Sequence, residues 1–176
     1  MLAEVIVATR NICRNIEKQI FLYVNQSRKK DGLSMLKPDS GLIYLARRHS
    51  SVMAKRRAIW HGKNVHVARN YVSTSLLSIL KVICYPLAIF FPPLRIIFYF
   101  GEKGMSGENV AMMPKGRVKG FRGEIHSDRD LAKALHRTWM NSHGHRKNIL
   151  TSGFKKVGIG VKRSGNTFYA TELFYG

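Results

Sequence analysis

The chain has 176 residues, with 30 Lys and Arg against 10 Asp and Glu, which gives a formal net charge of +20 at pH 7. This length fits one domain of ordinary size with room for one appendage, so we look for one site. The charge predicts attraction to polyanions or to anionic lipid surfaces and does not choose between them. The only cysteines, Cys13 and Cys84, exclude a disulfide framework and a thiolate metal site.

The N-terminal segment has a short apolar patch preceded by Glu4 rather than by basic residues. A secretory signal peptide has a basic start and a small-residue cleavage site, so the pattern does not predict one. We assign residues 1–16 to an N-terminal extension. Apolar residues at helical spacing predict a first helix from about Glu17 to Lys30, which Asp31-Gly32 ends.

The basic runs of the first part of the chain are interpreted as solvated helix ends. Arg28-Lys29-Lys30 and Lys55-Arg56-Arg57 are not interleaved with the aromatic residues that a single-strand nucleic-acid groove requires. A nucleic-acid partner therefore rests on charge alone and ranks last. Pro38-Asp39-Ser40 opens a second helix, in which His49 shares the apolar stripe and is interpreted as a core histidine.

The middle of the chain, from residue 76 to residue 100, is almost wholly apolar apart from Lys81 and Arg95. A transmembrane helix needs roughly 20 uninterrupted apolar residues, and the prolines of this stretch would break one. We expect a re-entrant or interfacial hairpin that attaches the protein to a membrane, or an apolar insertion folded against the domain.

The last part of the chain returns to a globular pattern. Ser127-Asp128-Arg129-Asp130 predicts a capped start for a third helix, whose apolar positions continue to Trp139. From Phe154 onward the residues alternate between apolar and polar on both sides of Gly165-Asn166, which predicts a C-terminal β-hairpin.

Polar residues cluster where predicted elements end. His61 follows the second helix, Glu108 precedes a short apolar run, His145 follows the third helix and Glu172 lies in the hairpin. Two imidazoles and a carboxylate suit zinc or a similar divalent ion with open coordination positions. No tight metal-binding spacing occurs, so polar groups at loop ends remain the alternative.

Four motifs together carry a resemblance to a known family. They are L-A-R-x5-M-A-K-x5-H from Leu45 to His61, G-E-N-V-A at 107–111, W-M-N-S-x-G-H-R-x-N-I-L at 139–150 and F-x-x-V-G-I-G-V at 154–161. In this order they resemble the CAP superfamily of cysteine-rich secretory proteins, antigen 5 and pathogenesis-related proteins, in its prokaryotic SCP-like branch. The resemblance covers most of residues 17–176, and the apolar insertion at 71–104 has no counterpart in the family pattern.

The resemblance implies an α+β fold, a three-layer α-β-α sandwich with an antiparallel sheet and a central cleft. His61, Glu108 and His145 fall on the family's cavity positions, where some members bind a divalent metal such as zinc. Ser142 stands where eukaryotic members have a further glutamate. Glu172 stands where SCP-like relatives often carry glutamine, so it is either a cavity carboxylate or a surface charge.

For the neighbouring motif residues the expected roles are structural. Asn109 is expected to bond loop backbone, Arg146 to clamp a carboxylate or carbonyl, and Gly144 to allow a tight helix exit. His143 is expected to be exposed.

Three functions remain open from the sequence. The first is a binding module that holds a lipid, peptide or partner protein in the His/Glu cleft, since no serine or cysteine stands in a nucleophile context. The second is a metal-dependent hydrolase that uses His61, His145 and Glu108. The third is membrane association through residues 76–100. Members of the family are mostly secreted or extracellular, and the compartment of this chain stays open.

Overall fold

The computed structural model describes residues 2–62, 105–119 and 123–176, which form helices and strands as follows. The helices are α1 (Leu2–Lys30), α2 (Ser40–Arg56), α3 (Asp128–Asn141) and α4 (His143–Leu150). The strands are β1 (Lys37–Pro38), β2 (Ser106–Pro114), β3 (Gly116–Arg117), β4 (Glu124–Ile125), β5 (Lys156–Ser164) and β6 (Thr167–Tyr175). The predicted insertion 71–104 and the apolar stretch 76–100 lie outside the described residues. Within those ranges, no helix combines the length and the apolar run that crossing a membrane requires.

Helix α1 begins at Leu2 and not near Glu17, so the sequence predicted this helix too short. Cys13 and Ile16 are buried and continue the stripe of core residues toward the N-terminus. The predicted boundary between residues 16 and 17 therefore falls inside a continuous helix. The earlier turns escaped prediction because residues 5–7 are consecutive apolar residues, all exposed, which have no helical period.

Arg28 corrects a second expectation, because its side chain is fully buried and not part of a solvated helix end. Its guanidinium donates hydrogen bonds to the carbonyl oxygens of Ser34, Ile149, Thr151 and Phe154, at distances of 2.8 to 3.3 Å. These carbonyl oxygens replace the water that would otherwise solvate the guanidinium charge. Arg28 thus joins the end of α1 to the end of α4.

Helix α2 begins as predicted. The Asp39 carboxylate accepts hydrogen bonds from the backbone N–H groups of Gly41 and Leu42, at 2.9 and 3.0 Å. At the other end Arg57 adopts a left-handed conformation, with φ of 51°, and its N–H bonds to the carbonyl of Met53. The chain then runs directly toward His61.

The main sheet has the strand order β1-β5-β6-β2. Strands β5 and β6 form the predicted hairpin around Gly165, whose φ of 58° suits glycine in a tight turn. Strand β2 pairs antiparallel with the other edge of β6, from Ser106 opposite Tyr175 to Pro114 opposite Thr167. The expected antiparallel sheet is therefore present in these three strands.

Strand β1 makes the sheet mixed, because it pairs parallel with the start of β5. The N–H groups of Lys37 and Asp39 donate to the carbonyls of Lys155 and Val157, at 2.9 and 3.1 Å. The pairing covers only the segment that leads into α2, so a short parallel edge strand was not evident from residue patterns.

Helices cover both faces of the sheet, which confirms the predicted α-β-α sandwich. On one face α2 lies so close to β5 that a Cβ added at Gly158 or Gly160 would come within 2.1 or 2.2 Å of α2 backbone atoms. On the other face α1 and α3 enclose the main core with the strands, around the fully buried Trp139. Apolar burial on both faces is the main stabilising term of such a fold.

Helix α3 begins at the predicted cap, where Ser127 and Asp130 form a reciprocal capping box. It ends at Asn141, and Ser142 is both the C-cap of α3 and the N-cap of α4. The expected helix exit at Gly144 is wrong, since Gly144 lies in the first turn of α4. A break at Ser142 therefore separates α3 from α4, a second helix that the sequence did not predict.

Candidate functional site

Three chain segments that are far apart in sequence meet at one side of the sandwich. His61 lies just beyond the end of α2, Glu108 lies near the start of β2, and His145 lies in the first turn of α4. We call this arrangement the His/Glu cleft and define it by these three residues. The helix ends and the strand are fixed by the core, so the cleft is held by the sandwich itself.

His61 and Glu108 form a direct pair, with His61 Nδ1 3.0 Å from Glu108 Oε1. The His61 side chain is 62% exposed, whereas that of Glu108 is 7% exposed. The same carboxylate oxygen also accepts the backbone N–H of Gly62 at 2.7 Å. Glu108 is thus an anchored carboxylate that orients an exposed imidazole.

His145 is the second imidazole of the cleft. Its ring centroid lies 6.2 Å from that of His61, with the two planes tilted by 40°. Burial, and next the charge of His61, lower the pKa of His145 and favour its neutral form. Its Nδ1 is buried and has no hydrogen-bond partner among the described residues.

His49 lies beside His61 and Glu108, a position that the sequence analysis did not predict. Its Nε2 lies 2.8 Å from the carbonyl oxygen of Trp60, and its ring meets the Trp60 indole edge to face at 5.7 Å. A Cβ added at Gly62 would come within 2.9 Å of Glu108 and 3.4 Å of His49. Gly62 therefore lets the chain pass close to the Glu108 carboxylate. In the sequence, the glycine directly after His61 was the feature that could have indicated this close approach.

Asn109 connects the cleft to the core beneath it. Its Nδ2 donates to the carbonyl oxygen of His145 at 3.1 Å and to Glu172 Oε2 at 2.9 Å. Asn148 Nδ2 donates to Asn109 Oδ1 at 2.9 Å and to the carbonyl of Glu108 at 3.1 Å. These bonds fasten α4 to β2, so Asn109 positions the histidine helix and does more than bond loop backbone.

Glu172 is fully buried, so it is not a surface charge. Burial raises its pKa to about 8, and the hydrogen bond from Asn109 opposes that shift only partly. Its Oε1 has no hydrogen-bond partner among the described residues. Glu172 is linked to His145 through the amide of Asn109, and not by a direct bond between its carboxyl group and the imidazole.

The remaining predicted residues lie at the margin of the cleft. Ser142 is half-buried and makes no side-chain capping bond to α4. Arg146 and His143 are exposed, as expected for His143. The expected clamp is absent, since the guanidinium of Arg146 contacts no carboxylate or carbonyl in the part of the chain that the structure describes.

The donor set for a metal ion is small. Among residues 2–62, 105–119 and 123–176, no group of three or more His, Cys, Asp or Glu side chains has an arrangement that could hold one. What the structure brings together is narrower: two imidazoles with ring centroids 6.2 Å apart, one of which is oriented by a carboxylate through its Nδ1. Carboxylates commonly hold metal-binding histidines in this way without being ligands themselves.

Comparison with known proteins shows similarity to one family. The model of the cysteine-rich secretory protein family, CAP, matches residues 99–175. The uncharacterized protein YkwD of Bacillus subtilis is 28% identical over 161 residues, which cover 91% of this chain and 47% of YkwD. The chain thus spans about half the length of this curated relative.

Solved structures share the fold. An outer surface protein of Borrelia burgdorferi has a TM-score of 0.57 and 17% identity, with 92% of each chain covered. An extracellular protein of Bacillus anthracis that contains an SCP domain has a TM-score of 0.55 and 23% identity, over 94% of this chain and 42% of that one. A cysteine-rich secretory protein of Staphylococcus aureus has a TM-score of 0.52 and 18% identity, over 93% of this chain and 39% of that one.

Proposed function

We propose that the chain is a binding module of the CAP superfamily and not a catalyst, because the CAP family model matches residues 99–175 and YkwD is similar over 91% of the chain. In this proposal the His/Glu cleft binds a divalent metal ion such as zinc through His61 and His145, and presents it to a lipid or peptide ligand. Glu108 is the orienting partner of His61 and leaves the other coordination positions to solvent or ligand.

The observation that carries the proposal is the bond between His61 Nδ1 and Glu108 Oε1 at 3.0 Å. With Nδ1 engaged, the second ring nitrogen of an exposed imidazole remains for a metal ion or a ligand. The lowered pKa of His145 acts in the same direction, because a metal ion requires the neutral imidazole. His61 thus has a free ring nitrogen and His145 favours the neutral form, and both are conditions for binding a metal ion.

Metal content of the purified full chain tests this proposal. After loading with zinc and dialysis, we expect about one bound ion for the unchanged protein and loss of that ion in the His61→Ala/His145→Ala variant. His126→Ala is the matched control, because His126 is an exposed histidine that pairs with Glu124, away from the cleft. Equal zinc retention by the double variant and the control would contradict the metal site.

A metal-dependent hydrolase is the alternative, and the buried carboxylate of Glu108 beside His61 favours it. A carboxylate in that place is suited to take a proton from a metal-bound water. Against it, Glu108 Oε1 already bonds to His61 and to the backbone of Gly62, and holds both in place. Turnover of general peptidase substrates by the zinc-loaded protein, abolished in Glu108→Gln, would replace the binding module with this enzyme.

Membrane attachment is proposed as a property of location that is compatible with either function. The net charge of +20 and the apolar stretch 76–100 support it. Flotation of the full chain with anionic liposomes, compared with a variant lacking residues 76–100, tests the idea. Equal flotation of the two proteins would reject attachment through this stretch.

A further inference from the structure

A groove of about 240 Å³ lies between α1, α2 and the β1–β5 edge of the sheet. It shares no residue with the His/Glu cleft. Its apolar walls come from Phe21 on α1, Ile43 on α2, Pro38 on β1, and Val157 and Ile159 on β5. Val157 and Ile159 are at most 4% exposed, so the groove ends on packed core and not on mobile side chains.

The one carboxylate that lines this groove is that of Glu17, and its negative charge is already neutralised by Arg47. Arg47 Nε lies 3.0 Å from each Glu17 carboxylate oxygen, and Glu17 Oε1 also accepts the backbone N–H of Val161 at 3.0 Å. The carboxylate therefore covers the sheet edge and neutralises Arg47. It offers no acidic group to other cations at the rim.

Two cations on α1 are left without such a partner. Arg14 and Lys18 both line the groove, stand one helical turn apart and are exposed. Neither side chain has a carboxylate partner among the described residues. Like charges at this spacing repel each other, and an anion placed between them would relieve that repulsion. Phe21 continues the same stripe of α1, so the charged rim leads onto an apolar wall.

We propose that this groove is a binding site for a small amphipathic anion, with its acidic head between Arg14 and Lys18 and a single short alkyl chain along the apolar walls. The groove volume of about 240 Å³ limits the alkyl chain to a short one. It is below the roughly 300 Å³ at which pockets for drug-sized ligands begin. A free short-chain carboxylate is the ligand that this shape and charge fit.

Octanoate titrated into the full-length protein tests the site, with the amide NMR shifts of Val157, Ile159 and Val161 as the readout. We expect saturable shifts at these residues. In Arg14→Gln/Lys18→Gln the affinity should fall about tenfold, since charge-assisted hydrogen bonds are worth about one factor of ten each and exposure reduces that value. Octanol, which has the same chain without the charge, should bind as weakly to the unchanged protein as octanoate binds to the variant.

Arg10→Gln/Lys29→Gln is the matched control, because it removes the same charge from exposed positions of α1 that do not line the groove. This variant should bind octanoate as the unchanged protein does. An equal loss in the control would mean that net charge alone attracts the anion, and the proposal would be wrong. Absence of shifts at Val157 and Ile159, or equal affinity for octanol and octanoate, would overturn it as well.

Discussion

Asn109 lies directly opposite Glu172 across the β2–β6 ladder, and its Nδ2 donates to Glu172 Oε2 at 2.9 Å. The same amide nitrogen holds the backbone of His145. A fully buried carboxyl group is therefore one side chain away from the helix that carries a cleft histidine. A change at Glu172 or Asn109 is therefore expected to affect both the stability of the core and the position of His145.

Glu172→Gln is expected to stabilise the protein at pH 8. The pKa of Glu172 is about 8 in the folded chain and 4.5 in the unfolded chain, so between these values only the folded state keeps the proton. Stability from this group is fully present below pH 4.5 and is lost as pH rises to 8, by on the order of a few kcal/mol. Glutamine cannot ionise and still accepts the bond from Asn109.

Urea unfolding at pH 5 and pH 8 measures this effect. The unchanged protein should lose stability between the two values, and Glu172→Gln should lose less. Glu124→Gln is the control, because the Glu124 side chain is 41% exposed. Parallel pH profiles for the unchanged protein and Glu172→Gln would contradict the assignment of the pH dependence to Glu172.

His136→Gln is expected to flatten the loss of stability in acid. His136 lies between α1 and α3, with its Nε2 2.9 Å from Ser27 Oγ, and burial lowers its pKa from 6.5 to about 4. Stability from this group is fully present above pH 6.5 and falls as pH drops toward 4, by at most about 3 kcal/mol. Thermal unfolding at pH 4.5 and 6.5 measures it, and His126→Gln, an exposed position, should leave the profile unchanged.

Asn109→Ala should cost about 2–4 kcal/mol and loosen α4, because the buried partners of the amide would be left without it. Amide hydrogen exchange of α4 should accelerate more than that of α3. Asn166→Ala removes one exposed bond, to the carbonyl of Lys115, and should cost less than about 1 kcal/mol. Unchanged exchange in α4 would mean that the Asn109 side chain does not hold this helix.

Gly160→Ala should destabilise the protein by about 3 kcal/mol or more, since its Cβ would lie 2.2 Å from the backbone nitrogen of Arg47 and α2 would have to move. Gly144→Ala is the matched control. A Cβ at Gly144 meets nothing within 4 Å, and alanine favours a helix by up to about 1 kcal/mol. Chemical denaturation should give opposite signs for the two variants.

The parts of the fold that follow from local chemistry were predictable. The Asp39 and Ser127 caps and the turn at Gly165 each depend on residues a few positions away, so the sequence indicated them correctly. The burial of Arg28 depends on distant partners. Arg28 finds most of its acceptors more than a hundred residues away, and a basic run gives no sign of that.

Part of the His/Glu cleft was predictable from the sequence and part was not. Spacing alone could not join His61, Glu108 and His145, which stand on three separate elements, and only the family motifs placed them together. His49 was dismissed as a core residue because its stripe on α2 is apolar. What gives it a place beside the cleft is the path of the chain through Trp60 and Gly62, after the helix has ended.

The buried guanidinium of Arg28 fixes two helix ends relative to each other. Its guanidinium binds the carbonyls of Ile149 and Thr151 at the C-terminal end of α4, while its own backbone lies in the last turn of α1, so one side chain connects the ends of these two helices. The Arg28 side chain therefore fixes the last turn of α4, one turn beyond His145, relative to the end of α1.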